Sequence, residues 1–147
     1  MLPPPKRGRG RRPGIESPRD GMTTVTHAAV GGLIGSAGLG SPVSFLLGMG
    51  SHLPLDLVPH WDIKRPWIDT VLTLGTLGVL YLLFGSHPVF WGAGGAALPD
   101  LEHLLPLRRK LFPGHGRTHG RRLGWNHAWH QAAIVVLAGA VIAGSAL

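Results

Sequence analysis

All fourteen lysine and arginine residues of this chain fall in three short stretches, and the long segments between them contain none. The basic stretches are residues 6–19, 64–65 and 108–122. These stretches and two uncharged links separate five apolar segments. The apolar segments lie at about 25–39, 43–58, 67–84, 89–105 and 128–147. If the chain starts in the cytoplasm and every segment crosses a bilayer, all the basic stretches face the cytoplasm, which is the positive-inside pattern. The pattern predicts an all-α, multi-pass bundle of five helices in the inner (plasma) membrane, built as two helical hairpins plus a C-terminal helix.

The overall composition also favours a membrane protein. Only 14% of the residues are charged, against about 25% in an average soluble domain. A perpendicular span needs roughly 17–25 residues, a length that the segments at 67–84 and 128–147 reach. The other three segments are shorter, so half-buried or re-entrant helices, or the helices of a compact soluble bundle, remain alternatives for them.

Residues 1–21 differ in composition from the remainder of the chain. They are rich in proline, glycine and arginine and have no apolar period, which predicts a disordered basic tail ahead of a membrane domain at 22–147. Met22 directly precedes the first apolar segment and is an alternative translation start, in which case the tail would not belong to the native protein. No aromatic residue stands between the basic ones of the tail, which argues against nucleic-acid binding.

Two pairs of potential metal ligands close the second and fourth apolar segments. His52 and Asp56 stand four residues apart, and Asp100 and His103 stand three apart, so each pair shares one face of a helix. The chain has no cysteine, and a metal site must therefore use nitrogen and oxygen ligands, which suit zinc or another first-row divalent ion. The alternative is that these polar groups only cap helix ends at the membrane interface.

Three of these four residues, all except His103, lie in a short internal repeat. Residues 50–56, which read GSHLPLD, resemble residues 95–100, which read GAALPD. Because each copy would end the second helix of a hairpin, we expect both pairs to share one pocket, with His27 or His119 nearby. In the predicted topology eight of the nine histidines, all except His87, and all seven acidic residues lie on the cytoplasmic side.

Several of these motifs resemble those of known hydrolases. The sequence from Leu98 to His103, followed by His115 and His119, looks like the signature of the inner-membrane metal-dependent hydrolases, and His27 after a threonine is similar to the opening of that family. The resemblance covers roughly residues 22–135 and implies multi-pass helices, a divalent metal and hydrolysis of a phosphoester-like substrate. The stretch from His52 to His60 is also similar to a zinc-ligand stretch of zinc-dependent phospholipases C.

Two functions from different classes fit these features. The first is a metal-dependent hydrolase acting on a phosphoester or phospholipid-like substrate at the cytoplasmic membrane face. Its expected metal ligands are His27, His52, Asp56, Asp100, His103 and His119, its proton acceptor is Glu102 or Asp62, and its phosphate-binding residues are Arg117 and Arg121. The second is a non-enzymatic membrane protein that binds a metal, or that binds a partner through its basic cytoplasmic loops.

Overall fold

Five α-helices make up the regular structure of the residues described by the computed structural model, which are 23–58, 63, 65–102, 112 and 128–145. The helices are α1 (Thr24–Gly35), α2 (Ser41–Leu57), α3 (Pro66–Phe84), α4 (Pro88–Leu101) and α5 (Ala128–Ser145). Within this described part there is no strand, so the predicted all-α class with five helices is confirmed. The predicted basic tail at 1–21 lies outside the described residues.

Proline and glycine account for several of the helix boundaries. Helices α2, α3 and α4 each have a proline in their first turn, where its missing N–H is one that the helix would leave unpaired anyway. Helix α3 ends at Gly85, whose φ of +58° lies in the left-handed region that glycine adopts without steric cost. These local signals turn the chain after α3 and direct it back along α4.

Helix α4 lies between α1 and α2, and glycine makes this close packing possible. A Cβ atom added at Gly92 would fall on the carbonyl oxygen of Gly31, and one added at Gly31 or Gly48 would fall on the carbonyl oxygen of Gly92. The backbones of the three helices therefore touch directly, as small residues permit in membrane bundles. The hairpin partners α1 with α2 and α3 with α4 also contact each other, but the most extensive contacts of α4 are with α1 and α2.

The interior of the bundle is more polar than its outer face. Most buried side chains are small or polar, among them Ala28, Ala93, Ala97, Thr26, His27, Thr73 and Asp56. Large apolar side chains point outward instead, including Leu46, Leu53, Trp67, Leu82, Leu83, Trp129 and Val136. Soluble domains usually show the reverse distribution, and exposed apolar surface of this extent is uncommon on a soluble monomer.

Helix α3 is the one helix of the described residues that is long and apolar enough, by length and composition, to cross a membrane. Its apolar window is Trp67–Phe84, of which almost nothing is buried inside the bundle. Helix α1 and the stretch Ala128–Gly144 are apolar but shorter. The segment predicted at 67–84 therefore forms a helix with the length and composition of a span, and the segment predicted at 128–147 forms the apolar helix α5 over its described residues.

Candidate metal site

The candidate site lies where α1, α2 and α4 meet. His27 lies in the first turn of α1, His52 and Asp56 lie on one face near the end of α2, and Asp100 lies in the last turn of α4. The glycine contacts that draw α4 against α1 and α2 bring these positions together. Four of the ligands that the sequence predicted therefore lie side by side, although they are spread over more than seventy positions of the chain.

The distances within this group fit a shared ion. One ligand atom from each of His27, His52 and Asp100 lies within 4.8 Å of the others. Oδ1 of Asp56 lies 3.4 Å from Nε2 of His27, and Oδ2 lies 3.4 Å from Nε2 of His52. Atoms that sit about 2.1 Å from a tetrahedral ion are about 3.4 Å from one another. The contacts of Asp56 have this spacing, and Nε2 of His52 lies 3.6 Å from Oδ1 of Asp100. The group of His27, His52 and Asp100 is compact enough that it could hold a metal ion.

A hydrogen bond to α4 orients the His52 ring toward the group. Its Nδ1 lies 2.9 Å from the carbonyl oxygen of Ala96, and because a carbonyl only accepts, Nδ1 carries the proton. In the neutral ring Nε2 then presents a lone pair, and this atom faces Asp56 at 3.4 Å and Asp100 at 3.6 Å. Metal-binding histidines usually donate their other ring N–H to a carbonyl or carboxylate in this way.

The site is almost completely closed to solvent. The exposed fraction is 0% for His27, 1% for Asp56 and 2% for His52, and it is 13% for the side chain of Asp100. The His27 and His52 rings stack with their centroids 4.0 Å apart. Both ring nitrogens of His27 are buried and make no hydrogen bond within the described residues, an arrangement that a bound cation would relieve.

The remaining predicted site residues are not part of this group or lie outside the described residues. Glu102 ends α4 and is buried, and its Oε2 accepts a hydrogen bond from the backbone N–H of Phe112 at 2.9 Å. The others, whose positions are not described, are Asp62, His103, Arg117, His119 and Arg121. Their predicted parts in metal binding, proton transfer and phosphate binding stay predictions.

Two polar residues that the sequence did not single out hold the beginning of α1. Asp69 of α3 accepts hydrogen bonds from the backbone N–H and the hydroxyl of Thr24. Gln131 of α5 accepts hydrogen bonds from the hydroxyls of Thr23 at 2.8 Å and Thr26 at 3.2 Å. The sequence signal for Asp69 was its place as the one acidic residue in the apolar segment at 67–84.

Comparison with known proteins adds no relative to this picture. No family model matches the chain, and no curated protein or solved structure matches it either. The resemblance to inner-membrane metal-dependent hydrolases therefore rests on the motifs alone. The chemistry of the site must be argued from its own residues and distances.

Proposed function

We propose that this protein is a membrane-embedded, metal-dependent hydrolase that binds one divalent ion, zinc, through His27, His52 and Asp100. The observation that carries the proposal is the convergence of these buried ligand atoms to within 4.8 Å of one another. Two imidazole nitrogens and one carboxylate oxygen are a donor set that zinc accepts readily, and three protein ligands leave a fourth position for water. Zinc in such a site supplies a water activated at neutral pH and polarises a phosphoryl oxygen.

Asp56 is the best placed of the described residues to accept a proton. Its oxygens lie beside both imidazoles, so a water held by the group would be within hydrogen-bond reach of this carboxylate. Glu102 already bonds to the backbone of Phe112. We therefore assign the proton-accepting part to Asp56, which the sequence pattern had placed among the ligands, and keep Glu102 and Asp62 as the alternatives.

A phosphoester is the substrate class that the charges of the chain favour. Six lysine and arginine residues at 108–122 follow the helix that carries Asp100, and Arg117 and Arg121 in this stretch are suited to bind phosphate oxygens. In hydrolysis, water would attack phosphorus, the ester P–O bond would break, and the alcohol would leave with a proton. At a membrane surface the available anionic esters include phospholipids.

The distribution of apolar side chains supports embedding of the whole bundle. Helices α1 and α4 have only 12 and 14 residues, too few for a lipid-exposed span. Helix α1 is surrounded by the four other helices, and α4 contacts α1, α2 and α3. Short helices are compatible with a membrane where protein shields them from lipid, so we propose a multi-pass bundle with a cytoplasmic N-terminus.

One observation favours the second candidate function, a protein that binds the metal without turnover. Structural zinc sites are closed by four protein ligands, whereas catalytic sites keep one position open. Here the ligands His27 and His52 are almost fully buried, and Asp56 is close enough to both rings to complete a closed set. Stoichiometric metal without hydrolysis would support this candidate.

Metal content measured beside hydrolysis tests the proposal. The full chain is purified in detergent, its metal is quantified by mass spectrometry, and hydrolysis of a generic phosphodiester is followed. We expect a single divalent ion per chain in the wild type and its loss, together with hydrolysis, in Asp100→Asn. The matched control is His87→Ala at the opposite end of α4, where the ring accepts a hydrogen bond from the N–H of Val89, and this variant should keep the ion.

Three outcomes separate the candidates. A wild-type protein without a divalent ion, or an Asp100→Asn variant that retains it fully, contradicts the metal site. An ion without hydrolysis contradicts the enzyme and favours the non-enzymatic protein. An ion with hydrolysis, both lost in Asp100→Asn and both kept in His87→Ala, supports the hydrolase.

A further inference from the structure

The first turn of α1 is capped by a residue from another helix. The side chain of an N-cap residue usually accepts a hydrogen bond from a backbone N–H of the first turn. The side chain of Thr23, at the N-cap position of α1, makes no such bond. The carboxylate of Asp69, 45 positions further along the chain, takes this role, because both its oxygens lie 3.1 Å from the backbone nitrogen of Thr24. A carboxylate is complementary to the unpaired N–H groups and partial positive charge of a helix N-terminus.

The same carboxylate also binds the side chain of this turn. The hydroxyl of Thr24 donates to Oδ2 of Asp69, and Thr24 is 4% exposed, so the contact is shielded from water. Hydrogen bonds to a charged acceptor are stronger than those between neutral groups. An acidic residue that is partly buried in an apolar helix, as Asp69 is in α3, carries a desolvation cost and is usually retained for a specific contact.

The capped turn carries a proposed metal ligand. His27 follows Thr24 by three residues, so its ring projects from the same turn of α1. The later part of α1 is held against α4 by close backbone contacts at Gly31 and Gly35. The first turn, which carries His27, lies before these contacts, and the polar contacts of Thr24 with Asp69 hold it in place.

We propose that Asp69 is a positioning residue that holds the first turn of α1, and with it His27, in the geometry required for metal binding. This inference rests on the proposed metal site and adds a residue that contacts neither the ion nor a substrate. Groups that orient a metal ligand commonly contribute roughly 10–100-fold to metal affinity. Asp69→Asn keeps the shape of the side chain but removes its charge and replaces one accepting oxygen with a donor.

Binding of Co²⁺, a spectroscopically visible substitute for zinc, provides the test. We expect Asp69→Asn to weaken Co²⁺ binding by about tenfold or more and to alter the absorption spectrum of the bound ion. The matched control is Thr76→Val in the same helix, because among the described residues the Thr76 hydroxyl bonds only to the carbonyl oxygen of Leu72, within α3. This variant should bind Co²⁺ as the wild type does.

A double-mutant cycle with His27→Ala separates positioning from a general loss of structure. If Asp69 acts through His27, Asp69→Asn should cause no further weakening once the ring is absent. Should Asp69→Asn fail to fold, Thr24→Val compared with Thr24→Ser replaces it, since only the valine variant loses the hydroxyl that bonds to Asp69. Valine should weaken Co²⁺ binding and serine should not.

Each result assigns the failure to one of the two proposals. A wild-type protein that binds no Co²⁺ overturns the metal site and the positioning role together. A wild-type protein that binds Co²⁺ while Asp69→Asn binds it equally well overturns the positioning role alone. Equal weakening by Asp69→Asn with and without the His27 ring also overturns it, because the effect would then not pass through His27.

Discussion

At the scale of single residues, the surroundings of His52 give the strongest chemical argument for a cation. Its Nδ1 is committed as a donor to Ala96, so the neutral ring turns a lone pair toward the carboxylates of Asp56 and Asp100. Three acceptors that face one another at such distances repel unless a proton or a cation lies between them. A divalent ion bound by the proposed site would lie close to all three groups and would be attracted by each of them.

The role of Asp56 distinguishes an open from a closed site. If Asp56 accepts a proton, as we propose, Asp56→Asn should keep the divalent ion and abolish phosphodiester hydrolysis, because an amide cannot take up a proton at neutral pH. Metal content and hydrolysis measured on the same sample check this. Loss of the ion in Asp56→Asn would instead make Asp56 a ligand and favour the non-enzymatic protein.

At the scale of the helices, the site depends on how closely α4 approaches α1 and α2. Helix α4 presents Gly92 and Gly95 to these neighbours, and a Cβ atom at either position would fall on a carbonyl oxygen of a facing helix. Because Asp100 is carried by α4 and the histidines by α1 and α2, any separation of these helices also separates the metal ligands.

Adding one methyl group to α4 tests whether the metal site depends on this close helix packing. Gly92→Ala should lower the free energy of unfolding by about 1–3 kcal/mol, the usual cost of overpacking, and should weaken metal binding as α4 is displaced from α1. The matched control is Gly94→Ala in the same helix, where a Cβ atom meets nothing within 4 Å. That variant should be neutral or stabilised by up to about 1 kcal/mol, as thermal unfolding in detergent would show; equal stabilities for both variants would contradict the packing argument.

At the scale of the whole molecule, the outer face is apolar and the polar groups are gathered inside. Leu82 and Leu83 of α3 are 84% and 70% exposed, whereas the carboxylate of Asp56 is buried. This distribution lowers the free energy of the folded chain only where the outer face meets an apolar medium. The proposed multi-pass topology provides that medium on all sides of the bundle.

The topology can be tested with reporter fusions. We expect reporters in the links at 59–66 and 106–124 to lie in the cytoplasm, because these two links and the tail contain all the lysines and arginines. Reporters at 85–87 and at the C-terminus should lie outside. Reporters on the same side before and after α3 would contradict even a single span.

Association with the bilayer gives a second, independent check. A protein with embedded helices should stay in the membrane fraction during an alkaline carbonate wash and should be released only by detergent, since no charge-dependent contact is needed to hold it. A peripheral membrane protein of the same host serves as the control that the wash removes. Release of this chain by carbonate would contradict an embedded bundle.

The sequence alone determined the helices and part of the site, because these depend on neighbouring residues. Apolar segments separated by basic stretches and by two uncharged links marked all five helices, and the spacing of His52 and Asp56 placed both on one face of α2. Only the tertiary structure decided that α4 packs against both α1 and α2, since this rests on contacts such as that of Gly31 with Gly92. Likewise, no local pattern relates Asp69 to the beginning of α1, because a hydrogen bond across 45 positions forms only once the helices have packed.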